Sequence, residues 1–167
     1  MSSRIVTNFM RQQGFGEEPD DALRAHFDGL TFQPRIVFPS VLLAILLQSP
    51  WLHLAISAVL WWNTLVPALN PFERAYSRWI ARPRGREPLV PAPGPRRMAQ
   101  GMAAAFNLAA GLGLLSGQTV FAWVMEAFLV VAFSALLFGR FCLGAYVHHL
   151  LKGRVAFANS TLPWSKG

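Results

Sequence analysis

The stretch from Thr119 to Gly144, TVFAWVMEAFLVVAFSALLFGRFCLG, decides where this chain can fold. An apolar run of more than about 18 residues is too long for an ordinary core helix and suits ~30 Å of hydrocarbon. One acid, Glu126, stands inside the run, and Gly139-Arg140-Phe141-Cys142 closes it with a charge and a thiol. Composition points the same way: 53% of the residues are hydrophobic and 14% charged, against about 25% charged in soluble domains. The 167 residues leave room for one domain, expected to be an all-α, integral membrane four-helix bundle of two transmembrane hairpins.

Residues 1–34 read as a polar amino-terminal arm with a short helix, capped by Asp20-Asp21 and stopped near Gly29. No apolar segment directly follows the first arginine, so a cleaved signal peptide is not expected. Residues 36–69 are apolar with a break at Gln48-Ser49-Pro50. As one helix they would run roughly 51 Å, far beyond a bilayer, so two spans are predicted, about 35–47 and 51–69. Pro39 then falls in an opening turn, and the short first span needs a thinned bilayer or shielding neighbours.

In 71–82, Phe72, Ala75, Tyr76, Trp79 and Ile80 recur at helical spacing while Arg74, Arg78 and Arg82 hold another face. This predicts an amphipathic interfacial helix, aromatic side in the headgroup boundary and arginines toward anionic phospholipids. A Pro/Arg linker follows over 83–97. The third span, 98–115, carries Gly101, Ala105, Ala109 and Gly113 at every fourth residue, a stripe that lets a neighbouring backbone come close. Ser116-Gly117-Gln118 turns the chain into the fourth span, 119–138. The membrane domain is expected to end near 151, and 152–167 to form a loosely held basic tail.

The net charge of +7 is gathered beside the apolar runs, which favours a membrane face over nucleic acid as partner. All fifteen Lys and Arg residues lie in the arm, in 70–97 or from Arg140 onward, and neither tight turn carries one. The positive-inside rule therefore puts both termini in the cytoplasm.

Glu126 lies about eight residues past the Gln118 turn, roughly 12 Å at helical rise. A carboxylate there costs about 2.5–3.5 kcal/mol, so the group is expected to be neutral or paired. His53 and Ser57 reach comparable depth from the neighbouring hairpin, and Asn107 comes from the third span, near mid-depth. Two readings stand open: a hydrogen bond that glues helices together, or a His/Glu/Asn cluster that relays protons or holds a small polar head such as a quinone's. No metal and no cofactor are predicted: His148 and His149 are adjacent, so they point about 100° apart on a helix. Cys142 is the lone cysteine, either a small buried residue or a thiol open to a partner or to acylation.

Pro93-Gly94-Pro95-Arg96-Arg97-Met98-Ala99-Gln100-Gly101, followed by a span and then by Phe138-Gly139-Arg140-Phe141-Cys142-Leu143-Gly144, resembles the bacterial membrane proteins of domain-of-unknown-function family 4395. Ala81-Arg82-Pro83-Arg84 resembles that family's "RPR" stretch. The likeness runs over about 33–151 and implies a multi-helix bacterial inner-membrane protein with no established activity. Where the family commonly has a second cysteine three residues after the first, this chain has Ala145. A lone thiol cannot cycle as a dithiol by itself. The favoured expectation is a non-catalytic accessory or assembly subunit that docks another membrane protein or complex. The alternatives are a quinone- or thiol-linked redox component and a small transporter or proton pathway centred on Glu126.

Overall fold

Where a backbone can hydrogen-bond only to itself, an apolar chain coils, and every regular element among the described residues is helical. A computed structural model describes residues 3–15, 20–86 and 88–165, with side chains in α2 from His26 onward. The capping expected of Asp20 and Asp21 lies outside the described side chains. The elements are α1 (Ser3–Gln12), α2 (Asp20–Leu46), α3 (Pro50–Leu65), α4 (Pro71–Tyr76), α5 (Gly94–Leu115), α6 (Thr119–Leu137), α7 (Leu143–Leu151) and α8 (Val155–Ser160).

The expected arm helix and first span are one element, because neither Gly29, Pro34 nor Pro39 interrupts the 27 residues of α2. Pro34 has no N–H for the Leu30 carbonyl, and Arg96 Nη1 donates to that oxygen instead, at 3.2 Å. Gly29 is a thin place in the helix: a Cβ there would meet Leu89 Cδ1 and Cδ2 at 2.7 Å. Its apolar part, His26–Leu46, is long enough to cross a membrane, as are Gly94–Leu115 and Thr119–Leu137. The short helix of the set is α3, which has 16 residues and ends before the predicted Leu69.

The break at Gln48 is present and has a specific cause. Ser49 N bonds Ala44 O at 3.0 Å and Gln48 N bonds Ile45 O at 3.1 Å, closing α2 with Gln48 in the left-handed region at φ 44°. Gly117 does the same for α5 at φ 74°, with Gln118 N on Gly113 O at 2.8 Å.

Helix α5 is central and packs against α3, α6 and α7, while α2 lies against α3 and α6. Val37, Val41, Leu60, Ala104, Leu129 and Phe133 form the core between these helices. The small-residue stripe is partly spent inside the chain: a Cβ on Gly101 would meet Thr64 Cγ2 at 3.4 Å, and one on Gly113 would meet Phe121 Cδ1 at 3.1 Å. Ala109 is half-buried and Ala105 exposed.

The 71–82 segment is α4 followed by a π-turn over Ser77–Ala81. Its apolar side does not all meet one surface. Tyr76 is buried against Phe32, ring centroids 5.6 Å apart, whereas Trp79 is 71% exposed alongside the exposed Arg74, Arg78 and Arg82. The linker is shorter than expected, since α5 begins at Gly94 with Pro95 in its first turn.

The described residues at both ends pack on the bundle. Phe9, Met10 and Phe15 bury against Phe27, Leu30, Cys142 and Ala145, and the tail forms α8, with Asn8 Nδ2 donating to Leu162 O at 3.2 Å. Gly144 seats α7 on α5: a Cβ there would collide with the Cα of Ala99. Gly144→Ala is therefore expected to destabilise the fold by about 1–3 kcal/mol through overpacking. A thermal melt in detergent checks it, and an unchanged Tm refutes the close approach.

Candidate functional site

Among the polar groups carried into this interior, two arrays stand out. The first lies near the end that bears the Gln48 and Gly117 turns. Helix α3 brings His53 there, α5 Asn107, and α6 Glu126, with exposures of 0%, 0% and 3%. His53 Nδ1 is 3.0 Å from Asn107 Oδ1, and His53 Nε2 is 3.2 Å from Glu126 Oε1.

Directions in this array follow from which groups can only donate. Asn107 Nδ2 donates to Ala103 O at 2.9 Å, so its Oδ1 faces the ring and His53 Nδ1 must carry a hydrogen. Trp123 Nε1, a donor only, bonds Gln48 Oε1 at 2.9 Å. Gln48 Nε2 is thereby turned to Ile45 O at 2.8 Å and to both Glu126 oxygens, at 3.4 and 3.2 Å. One bond remains to be assigned. Between His53 Nε2 and Glu126 Oε1 a single proton must sit, as imidazole with carboxylic acid or as imidazolium with carboxylate. The pair is thus a one-proton site, and exposed Gln48 is its contact with the surface at the turn. Gln48 holds a left-handed backbone that costs a non-glycine residue about 1–2 kcal/mol, a strain of the kind that gathers at working sites.

Of the residues singled out from sequence, Ser57 stays apart and donates to Ala104 O at 2.8 Å. Gln48 and Trp123 belong to the array and were not anticipated. The signal for Gln48 was its place at the break, level with Glu126.

The second array lies toward the basic end and was not read from the sequence. Gln33 Oε1 accepts from Gln100 Nε2 at 2.9 Å and Asn70 Nδ2 at 3.3 Å. Asn70 Oδ1 meanwhile caps α4 through Phe72 N at 3.0 Å and Glu73 N at 3.4 Å. Beside it Arg96 Nε lies 3.3 Å from Glu73 Oε1, side chains 6% and 8% exposed, yet neither atom completes a well-aligned hydrogen bond. Burial pushes the Glu73 carboxyl above its ordinary range while the Arg96 charge pulls it back. The legible clue was periodicity: Arg96, Gln100 and Asn107 recur at helical spacing along one buried face of α5.

Cys142 lies in the α1–α2–α7 cluster at 2% exposure, its backbone N bonded to Gln12 Oε1 at 2.8 Å. Burial pushes the thiol up, which lowers its thiolate fraction at neutral pH. His148 and His149 meet edge to face at 5.6 Å. Among the described residues no three His, Cys, Asp or Glu side chains gather as a metal ion would need.

The family model described as "Domain of unknown function (DUF4395)" matches residues 28–153. The chain belongs to this family. No curated protein and no solved structure matches it. The matched residues of this DUF4395 protein hold both polar arrays and Cys142, whereas α1, which covers the thiol, lies before them.

With α1 in place, Cys142 is expected to react with N-ethylmaleimide at pH 7 at least about tenfold more slowly than in the SDS-unfolded chain, following its smaller thiolate fraction and access. Gel-shift alkylation time courses check this, and equal rates would show an accessible thiol.

Proposed function

We propose that this DUF4395 protein crosses the membrane four times, as two hairpins with both termini in the cytoplasm, and that the His53–Glu126 pair binds and releases a proton within it. The three apolar helices support the placement. The absence of Lys and Arg from both turns supports the orientation. At about 1.5 Å per residue, α3 reaches roughly 24 Å, a little short of the hydrocarbon, and is the fourth span with its Trp51 and Trp62 near the two boundaries.

The single observation that carries the proton reading is the 3.2 Å contact between His53 Nε2 and Glu126 Oε1. Every other hydrogen-bonding direction around this pair is set by an amide, a carbonyl or an indole, so the shared proton is the one variable in the array. Helix glue alone needs no group that titrates, and an Asn–Gln pair would serve it. An accessory subunit docking through the small-residue stripe has less in its favour, because Gly101 and Gly113 face this chain's own α3 and α6.

The test is infrared difference spectroscopy of the protein in lipid across a pH series. The expected result is a carboxylic acid band that titrates, disappears in Glu126→Gln and shifts its midpoint in His53→Gln, with the melting temperature of Glu126→Gln little changed. A titration indifferent to Glu126→Gln would overturn the proton reading and leave an accessory role as the alternative.

A further inference from the structure

Cys142 shares an interior space with the second polar array. A cavity of about 60 Å³ is lined by Cys142, Arg96, Gln100, Gln33 and Gln13, with Leu30 and Phe133 among its apolar walls. Gln100 is 7% exposed and Arg96 5%, and of their atoms Gln100 Oε1 and Arg96 Nε have no hydrogen-bond partner. A small polar molecule in this cavity meets an acceptor and a cationic donor already in place. One water needs about 10–15 Å³ of such space, so a molecule built on a pair of oxygen atoms fits. A ring does not, since benzene takes a cavity of about 150 Å³.

The thiol has a setting of its own in this space. Cys142 is the N-cap of α7, and the start of a helix leaves N–H groups without partners inside the helix. Burial raises the thiol most, while the Ala145 amide, the Gln13 side chain, the Arg96 charge and the Gly144 amide act the other way and favour the thiolate. The same donors stabilise negative charge that passes from the sulfur to a bound molecule. Cys142 is the only cysteine in the chain, so an oxidised sulfur here finds no second thiol of the chain to condense with.

We infer that this cavity admits hydrogen peroxide and that Cys142 is oxidised there to a sulfenic acid. The inference is independent of the proton reading of His53–Glu126. Sulfur attacks one peroxide oxygen, an S–O bond forms as the O–O bond breaks, and the leaving hydroxide takes the thiol proton and departs as water. An electron pair passes from sulfur to peroxide, so thiol and peroxide give sulfenic acid and water with nothing left over. Gln100 Oε1 accepts from the peroxide O–H, and the Arg96 charge is set against the hydroxide as it leaves. The sulfenic acid O–H then inherits the Gln100 acceptor. Passage of peroxide needs only the side-chain motion that admits a water, whereas larger electrophiles are shut out by the same walls.

The test treats the protein in lipid nanodiscs with hydrogen peroxide or with N-ethylmaleimide at pH 7, quenches the reagent and unfolds the chain in SDS. Remaining thiol is read by gel-shift alkylation and sulfenic acid by dimedone labelling, with Cys142→Ser as the blank. A smaller thiolate fraction slows both reagents alike, so the ratio between them isolates the cavity. Relative to the SDS-unfolded chain, peroxide is expected to be slowed at least about threefold less than N-ethylmaleimide, with dimedone label at Cys142. Gln100→Leu removes the acceptor, and Ala103→Val narrows the cavity from one of its walls. Each is expected to lower the peroxide rate several-fold and leave the N-ethylmaleimide rate unchanged, and the second serves if the first does not fold. Equal slowing of the two reagents, a lost thiol that never carries the label, or a peroxide rate that neither variant lowers overturns the inference and leaves Cys142 a buried packing residue.

Discussion

Hydrocarbon offers a polar group nothing to bond, so polar side chains that these helices take inside are drawn to partners on other helices. That constraint sets the contacts between the long helices. Arg96 serves the carbonyl that Pro34 leaves bare, Asn107 fixes the ring of His53, and Ser57 reaches the backbone of α5 at Ala104. Partners separated by dozens of residues are held at hydrogen-bond distance. The glycines of α5 make this workable, because a Cβ at Gly111 would stand 3.1 Å from Pro50 O and force α3 outward, carrying His53 away from Asn107.

The parts of the fold legible in sequence were those set by local chemistry. The left-handed turns at Gln48 and Gly117 end helices at the places their residue types suggest, and the apolar runs of α5 and α6 are unbroken. The length of α2 was not legible, because Gly29, Pro34 and Pro39 each carry a local signal to stop. What overrides them is distant: Arg96, 62 residues after Pro34 in sequence, supplies the missing donor, and Leu89 fills the space that a side chain at Gly29 would take. Local propensity yields to such tertiary terms whenever the unmet group is satisfied from elsewhere. The docked ends were hidden for the same reason. Phe9 and Met10 look like an ordinary polar arm's residues until Cys142 and Ala145 are known to lie beneath them.

The site shows a similar division. Reckoning depth from the turns brought His53 and Ser57 near the level of Glu126 and put Asn107 near mid-depth, since rise per residue is nearly fixed in a helix, and the structure joins His53, Asn107 and Glu126. Depth alone could not assign azimuth, and azimuth is what joins these three; Ser57 shares the face of His53 but lies a turn further along α3, where it meets Ala104 O instead. The Glu73–Arg96 pair escaped depth reckoning altogether, because Arg96 sits among prolines and arginines that read as linker, whereas α5 in fact begins two residues earlier, at Gly94.

The two arrays differ in how completely they are satisfied. Around His53 every nitrogen and oxygen has a partner, which makes that array rigid and leaves the shared proton as its one degree of freedom. Around Gln100 and Arg96, Oε1 and Nε are buried without a hydrogen bond, each costing about 1–3 kcal/mol if left dry. A cavity of about 60 Å³ lined by both Gln100 and Arg96 stands beside these atoms, and water held in it would supply the bonds that the neighbouring helices do not.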